Sequence, residues 1–101
     1  MILFNTTYLV SPTVEKRFLY WLSAVYVPKA KESGLVSDPR LFKVLTGESD
    51  GISYSLQILA DNISKMNEFK KTYLETLEKD LASTFGESVL SFSTYLKGCE
   101  L

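Results

Sequence analysis

The chain contains no histidine. This removes the commonest general base and the commonest metal ligand, so zinc hydrolysis and Ser–His or Cys–His catalysis are excluded. There is one cysteine, Cys99, close to the last residue. Alone it forms no internal disulfide, metal cage or iron–sulfur cluster, and it is expected to be a tail thiol. An excess of either charge is missing too: 11 Lys and Arg oppose 12 Asp and Glu, a formal charge of −1. Such a chain has no general pull on phosphate backbones, so nucleic acid is not an expected partner. No apolar run approaches the roughly 20 residues that a membrane span needs. The stretch Met1 to Thr7 has no positive segment and turns polar at Asn5, unlike a signal peptide. Neither membrane association nor secretion is expected, and the protein is read as cytoplasmic. Asn5-Thr6-Thr7 and Asn62-Ile63-Ser64 match the glycosylation triplet, which is common by chance.

What is present is apolar. Hydrophobic residues make up 46% of 101 and aromatic ones 13%, enough to rule out a disordered segment and to support one domain over residues 1–101. Residues 2–10 (ILFNTTYLV) are rich in β-branched and aromatic types and read as a strand ending at Ser11-Pro12. Ser11 suits a helix N-cap and Pro12 the first helical position. Val14, Phe18, Leu22 and Val25 then recur at helical spacing, with Leu19 and Tyr26 alongside. Pro28 should interrupt this helix, with a short continuation to Gly34. A second strand is expected from Arg40 to Thr46, and Gly47 to Gly51 reads as a hairpin connection with left-handed backbone at Asp50-Gly51. Ile52 to Ala60 is the clearest strand. Asp61 is expected to cap a second helix to about Thr84, with Ile63, Met66, Phe69, Tyr73, Leu77, Leu81 and Phe85 as its apolar stripe, Leu74 at the edge and Gly86 as its stop. Residues 88–96 give the last strand.

Two strand–helix–strand units joined by a hairpin specify an α+β, ferredoxin-like βαββαβ fold. Its four-stranded antiparallel sheet is covered by two helices on one face. Alternation predicts a helix-facing row of Ile2, Phe4, Thr6 and Tyr8, then Phe42 and Val44, the Ile52 row, and Leu90, Phe92, Thr94 and Leu96. The opposite face has no cover, yet it is expected to carry Leu3, Leu9, Leu41, Leu45, Leu59 and Tyr95 among polar neighbours. Such a patch is large for a wet surface and points to a homodimer interface.

Trp21, Tyr26-Val27-Pro28, Gly34 and Arg40-Leu41, with Asn5, Tyr54 to Gln57, Phe85-Gly86 and Phe92 with Thr94, resemble the pattern of an uncharacterised bacterial family, domain-of-unknown-function family 4286. That family is similar to the dimeric α/β-barrel superfamily, which includes cofactor-free monooxygenases of the antibiotic-biosynthesis type. The resemblance runs over nearly the whole chain and implies a dimer of that type. The chain departs from the pattern twice: Tyr26 stands where the family commonly carries His, and Ser93 where Arg is usual. An activity resting on those two groups would be lost here.

Two functions follow as expectations. The first is a structural or interaction domain whose work is its homodimer or partner surface. The second is a small apolar ligand, or cofactor-free oxygenation, in a cavity between the first helix and the sheet, lined by Trp21, Tyr26, Tyr54 and Phe92 with Thr6 or Thr94. No catalytic residue, cofactor or metal ligand is assigned, and the balance is against an enzyme. An RNA-binding sheet is not expected, because Ser53, Ser55 and Gln57 place no aromatic on the open row of the third strand.

Overall fold

The computed structural model describes residues 1–45 and 51–101. Its organising element is the alternating segment Ile2–Val10, strand β1, which occupies the interior of the sheet. Strand β2 is Ser37–Lys43, β3 is Ile52–Ala60 and β4 is Val89–Lys97, in the order β2-β3-β1-β4. All pairs are antiparallel. This is the ferredoxin-like α+β fold that the segment order implied, 37 × 32 × 17 Å in extent, a thin slab with helices on one side only.

The helical layer is two rods, each widened in the middle. Helix α1 (Glu15–Trp21) runs through a π-helical turn at Leu22–Tyr26 into α2 (Val27–Ser33). Helix α3 (Ile63–Phe69) runs through a second π turn at Lys70–Leu74 into α4 (Glu75–Phe85). Pro28 therefore does not break the first rod as expected. The wide turn ahead of it moves hydrogen bonding to a five-residue reach, as when the Val27 N–H meets the Leu22 carbonyl. The proline's missing N–H is absorbed there instead of ending the helix. Gly34 stops the rod with φ +69, its N–H returning to the Lys31 carbonyl at 3.3 Å.

The second π turn explains a shift in the apolar stripe. Met66, Phe69, Leu77, Leu81 and Phe85 are buried as expected, but Leu74, placed at the edge by sequence, is buried while Tyr73 is only partly so. One extra residue per turn rotates the following segment, so five residues separate Phe69 from Leu74 on the same face. Ile63 lies outside the core altogether. The cap also differs. Asn62, not Asp61, accepts the Lys65 N–H at 2.9 Å, and Asp61 instead pairs with the Lys65 ammonium at 3.1 Å.

Register sorts the faces. Directly opposed residues of antiparallel strands project to the same side. Phe4, Thr6 and Tyr8 of β1 point at the helices with Ile58, Leu56 and Tyr54 of β3, all buried as expected. The edge strands are reversed from the expectation. Leu41 opposes Leu56, so Phe42 and Val44 lie on the open side. Ser93 opposes Thr6 and Tyr95 opposes Phe4, so Leu90, Phe92, Thr94 and Leu96 lie on the open side too. The cause is the reach of the helices. From Leu90 to Lys97 every residue is exposed, so no core requires apolar groups on that strand's inner row. In β2, apolar residues stand in both rows, and a register shift between Ser37 and Arg40, with Asp38 at φ +53, sets which row turns inward.

The expected connection at residues 47–50 lies outside the described residues, as does Thr46. Gly51 is described and has no positive φ. Its value is size: a Cβ there would come within 2.8 Å of Leu9 Cδ1 and 3.2 Å of the Val10 carbonyl.

Asn62→Ala should lower unfolding free energy by about 1 kcal/mol through loss of the cap. Asp61→Ala, which removes only an exposed ion pair, should change it by less than about 0.5 kcal/mol. Urea denaturation of the two variants tests this, and the opposite order would restore Asp61 as the cap.

Candidate functional site

The helices leave the inner row of β4 bare, and a cleft forms where that row meets the second rod. Its walls are Thr6 and Tyr8 from β1, Ser91 and Ser93 from β4, Leu74, Leu77 and Glu78 from the second rod, and Trp21 and Tyr26 from the first. Both π turns end in this wall, the first at Tyr26 and the second at Leu74. Each wide turn therefore presents a side chain that an unbroken α-helix would rotate elsewhere.

Trp21 is anchored from the far side. Its indole N–H donates to Asp80 Oδ2 at 2.7 Å, tying the two rods together, while its ring meets Tyr26 edge-on at 6.0 Å between centroids. Thr6 and Ser93 share a hydroxyl–hydroxyl hydrogen bond of 3.0 Å between β1 and β4. Tyr95, beyond Ser93 on the same row, stacks on Phe4 at 4.8 Å and carries the Lys70 ammonium 4.7 Å above its ring. Tyr26 itself is 1% exposed, and its hydroxyl has no hydrogen-bond partner among the described residues.

That orphan phenol is held neutral. Burial pushes the Tyr26 hydroxyl well above its ordinary range, with the Glu78 carboxylate and Tyr95 adding to the shift. Tyr8 is pushed up in the same way, by burial first and then by Tyr26 and Glu78. Both phenols can donate a hydrogen bond at neutral pH and neither can serve as a base. The cleft measures about 10 Å³, the room one water molecule needs. It falls far short of the roughly 300 Å³ at which small-molecule sites begin. Among the described residues, no three His, Cys, Asp or Glu side chains are grouped to hold a metal ion.

Of the four residues proposed from sequence to line a pocket, the fold brings Trp21 and Tyr26 together and separates the others. Tyr54 faces the helices elsewhere: it packs on Phe18 at 6.0 Å and donates to Glu15 Oε2 at 2.5 Å, with Lys43 Nζ 3.7 Å from the same oxygen. Burial, and then the Glu15 hydrogen bond and charge, push its phenol up to about 12. Phe92 is on the other face of the sheet, opposite Thr7 and 68% exposed. Thr94 shares that open face, whereas Thr6 does line the cleft. Sequence reasoning missed Tyr8, Leu74, Glu78 and Ser91. Tyr8 and Leu74 read as ordinary core, and only the register of β4 could have placed Ser91 and Ser93 inward. Ser93 and Tyr26, the two positions singled out from the resemblance, both line this cleft.

The proposed interface residues divide as well. Leu3, Leu9 and Leu59 lie on the open face. Leu41 and Tyr95 are on the helix side by register, and Leu45 follows the end of β2, almost fully exposed.

The family described as Domain of unknown function (DUF4286) matches residues 1–99. Among curated proteins, none matches this chain. Of solved structures, a candidate antibiotic biosynthesis monooxygenase from Deinococcus radiodurans superposes with a TM-score of 0.72 at 15% identity, over 100% of this chain and 95% of its own. HapK from Hahella chejuensis gives 0.72 at 11% identity, over 98% and 93%. A de novo designed protein, Foldit4, gives 0.59 at 5% identity over 97% of each chain. Likeness at these identities shows the fold alone, since a protein designed without this ancestry shares it.

Tyr26→Phe should leave stability unchanged or raise it by about 1 kcal/mol, because it removes a buried hydroxyl that has no partner. A loss larger than that in urea denaturation would show the hydroxyl bonded in solution. The raised phenols of Tyr8, Tyr26 and Tyr54 also set an alkaline limit. Above about pH 10 the unfolded tyrosines release protons that the folded ones keep, so stability should be flat up to that pH and fall beyond it. Tyr54→Phe should make the fall between about pH 10 and 12 shallower, and an unchanged slope would contradict the assignment.

Proposed function

We propose that this chain, which belongs to the DUF4286 family, works as a homodimeric interaction domain joined through its open sheet face. The observation that carries the reading is the orientation of β4, which turns Leu90, Phe92 and Leu96 to the open face and puts Ser91 and Ser93 on the helix side. An isolated chain gains nothing from that arrangement. Burying that outer row in an interface makes it favourable. Leu3, Leu9 and Leu59 share the face, as do Phe42 and Val44 at its β2 edge, where the register also places Arg40, paired with Asp38 at 3.1 Å.

A second copy fits better than another partner. Between the apolar margins the face is uncharged: Ser55 donates to Asn5 at 2.5 Å, Asn5 faces Thr7 at 3.4 Å, and Ser53 and Gln57 lie beside them. A surface without charge in its middle meets its own copy about a two-fold axis without opposing like charges. Four strands about 4.8 Å apart, three of them nine residues long and β2 seven, give a face of roughly 540 Å² per copy before side-chain relief is counted. Two such faces approach the roughly 1,200 Å² at which stable interfaces begin. The same reading keeps the chain in the cytoplasm, where the exposed Cys99 thiol stays reduced.

A second reading, a small-molecule site, is favoured by one observation: the unpartnered Tyr26 hydroxyl in a wall of hydroxyl groups. The cleft admits a ligand only if the second rod moves off β4, because its present volume suits one water.

Sedimentation equilibrium decides the first reading. The wild-type chain should run at twice its own mass, and Phe92→Glu, which puts a charge in the apolar β4 margin, should weaken association by at least about thirty-fold. Tyr20→Ser, an equally exposed aromatic on the helix side, should leave it unchanged. A wild-type monomer at about 100 μM, a concentration that would populate even a modest dimer, would overturn the proposal.

A further inference from the structure

On the outer surface of the helical layer, separated from the cleft by Trp21, which lines both, and remote from the open sheet, lies a groove of about 380 Å³. It runs between α1 and the end of α4. Its floor is Trp21, Val25 and Phe85; Tyr20 stands at its side, 72% exposed; Lys16 and Arg17 stand at its rim. Thr84 supplies the remaining polar group, and among the described residues no carboxylate lines it.

We infer that this groove is a binding site for a small aromatic carboxylate. The size is right, within the roughly 300–1,000 Å³ typical of ligand sites, and the walls are mostly apolar with a few placed polar groups. Helical spacing fixes the arrangement: Lys16 and Arg17 stand four and three residues before Tyr20, so all three share one face of α1. Neither cation belongs to an ion pair among the described residues, whose three pairs are Arg40–Asp38, Lys43–Glu15 and Lys65–Asp61. Two cations outside those pairs, beside an apolar floor, are complementary to a ligand with an aromatic ring and one negative end. The ring packs against Tyr20 and Trp21, and the carboxylate takes the planar Arg17 guanidinium, with Lys16 as the second charge.

Trp21, the chain's one tryptophan, makes the test direct. The full chain is titrated with 3-phenylpropionate and, separately, with its neutral analogue 3-phenylpropanol. Amide and indole N–H shifts are followed by NMR and checked by Trp21 fluorescence. Saturating shifts centred on Tyr20, Trp21 and Val25, with the alcohol weaker by about ten-fold or more, would support the site. The exposed double substitution Lys16→Glu and Arg17→Glu should remove the preference for the carboxylate and leave the shifts of the core unchanged. Equal binding of acid and alcohol, unchanged binding in the double variant, shifts confined to the open sheet face, or no saturation would each overturn it.

Discussion

The pairing of β1 with both of its neighbours is the constraint on which the rest of this structure depends. Side chains alternate with a period of two, so a slip of one residue in either pairing would exchange the inner and outer rows of a whole strand. Val10 set against Ile52 on one side and Val89 on the other commits Phe4, Thr6 and Tyr8 to the helices. It also commits Leu3 and Leu9 to the open face. The Thr6–Ser93 hydrogen bond belongs to that same commitment on the inner face, and the Ser55–Asn5 bond on the outer.

The helical layer is fitted to this sheet by two wide turns. A regular helix long enough to cross the sheet drifts relative to it, and each π turn resets the phase by one residue. In the first rod the reset comes just ahead of Pro28 and buries Tyr26; in the second it brings Leu74 inward. The Trp21–Asp80 hydrogen bond then locks one rod against the other. The cost is local. Tyr26 is carried so far into the layer that its hydroxyl finds no partner, and the phenol is kept neutral by the burial that orphans it.

What the layer does not do matters as much for function. Two rods cover β1 and β3 and stop short of β4, whose residues from Leu90 onward are exposed on both sides. On the inner side this leaves a hydroxyl-lined cleft of about one water's volume. On the outer side it leaves Leu90, Phe92 and Leu96 without cover among the described residues. A fold shared with proteins of very different sequence, a designed one included, has no single chemistry. The distinguishing content of this chain is its surfaces: an apolar sheet face and, on the helices, a groove with two cations.

The sequence by itself determined the order of elements, the two-layer α+β architecture and the faces of β1 and β3. In those strands one row is plainly apolar and the other plainly polar or mixed, and the pattern admits one solution. Trp21 and Tyr26 were both proposed from the sequence as pocket-lining residues, but a five-residue spacing turns them apart on a regular helix, and the π turn between them is what brings both to the cleft. The faces of β2 and β4 were not legible. Residues 41–45 carry apolar groups in both rows, and in β4 the more apolar row turns away from the core. Only the tertiary structure decided these, because register and the reach of the helices are set by contacts between segments distant in the chain. The inside of an edge strand is defined by whatever lies above it, and here very little does.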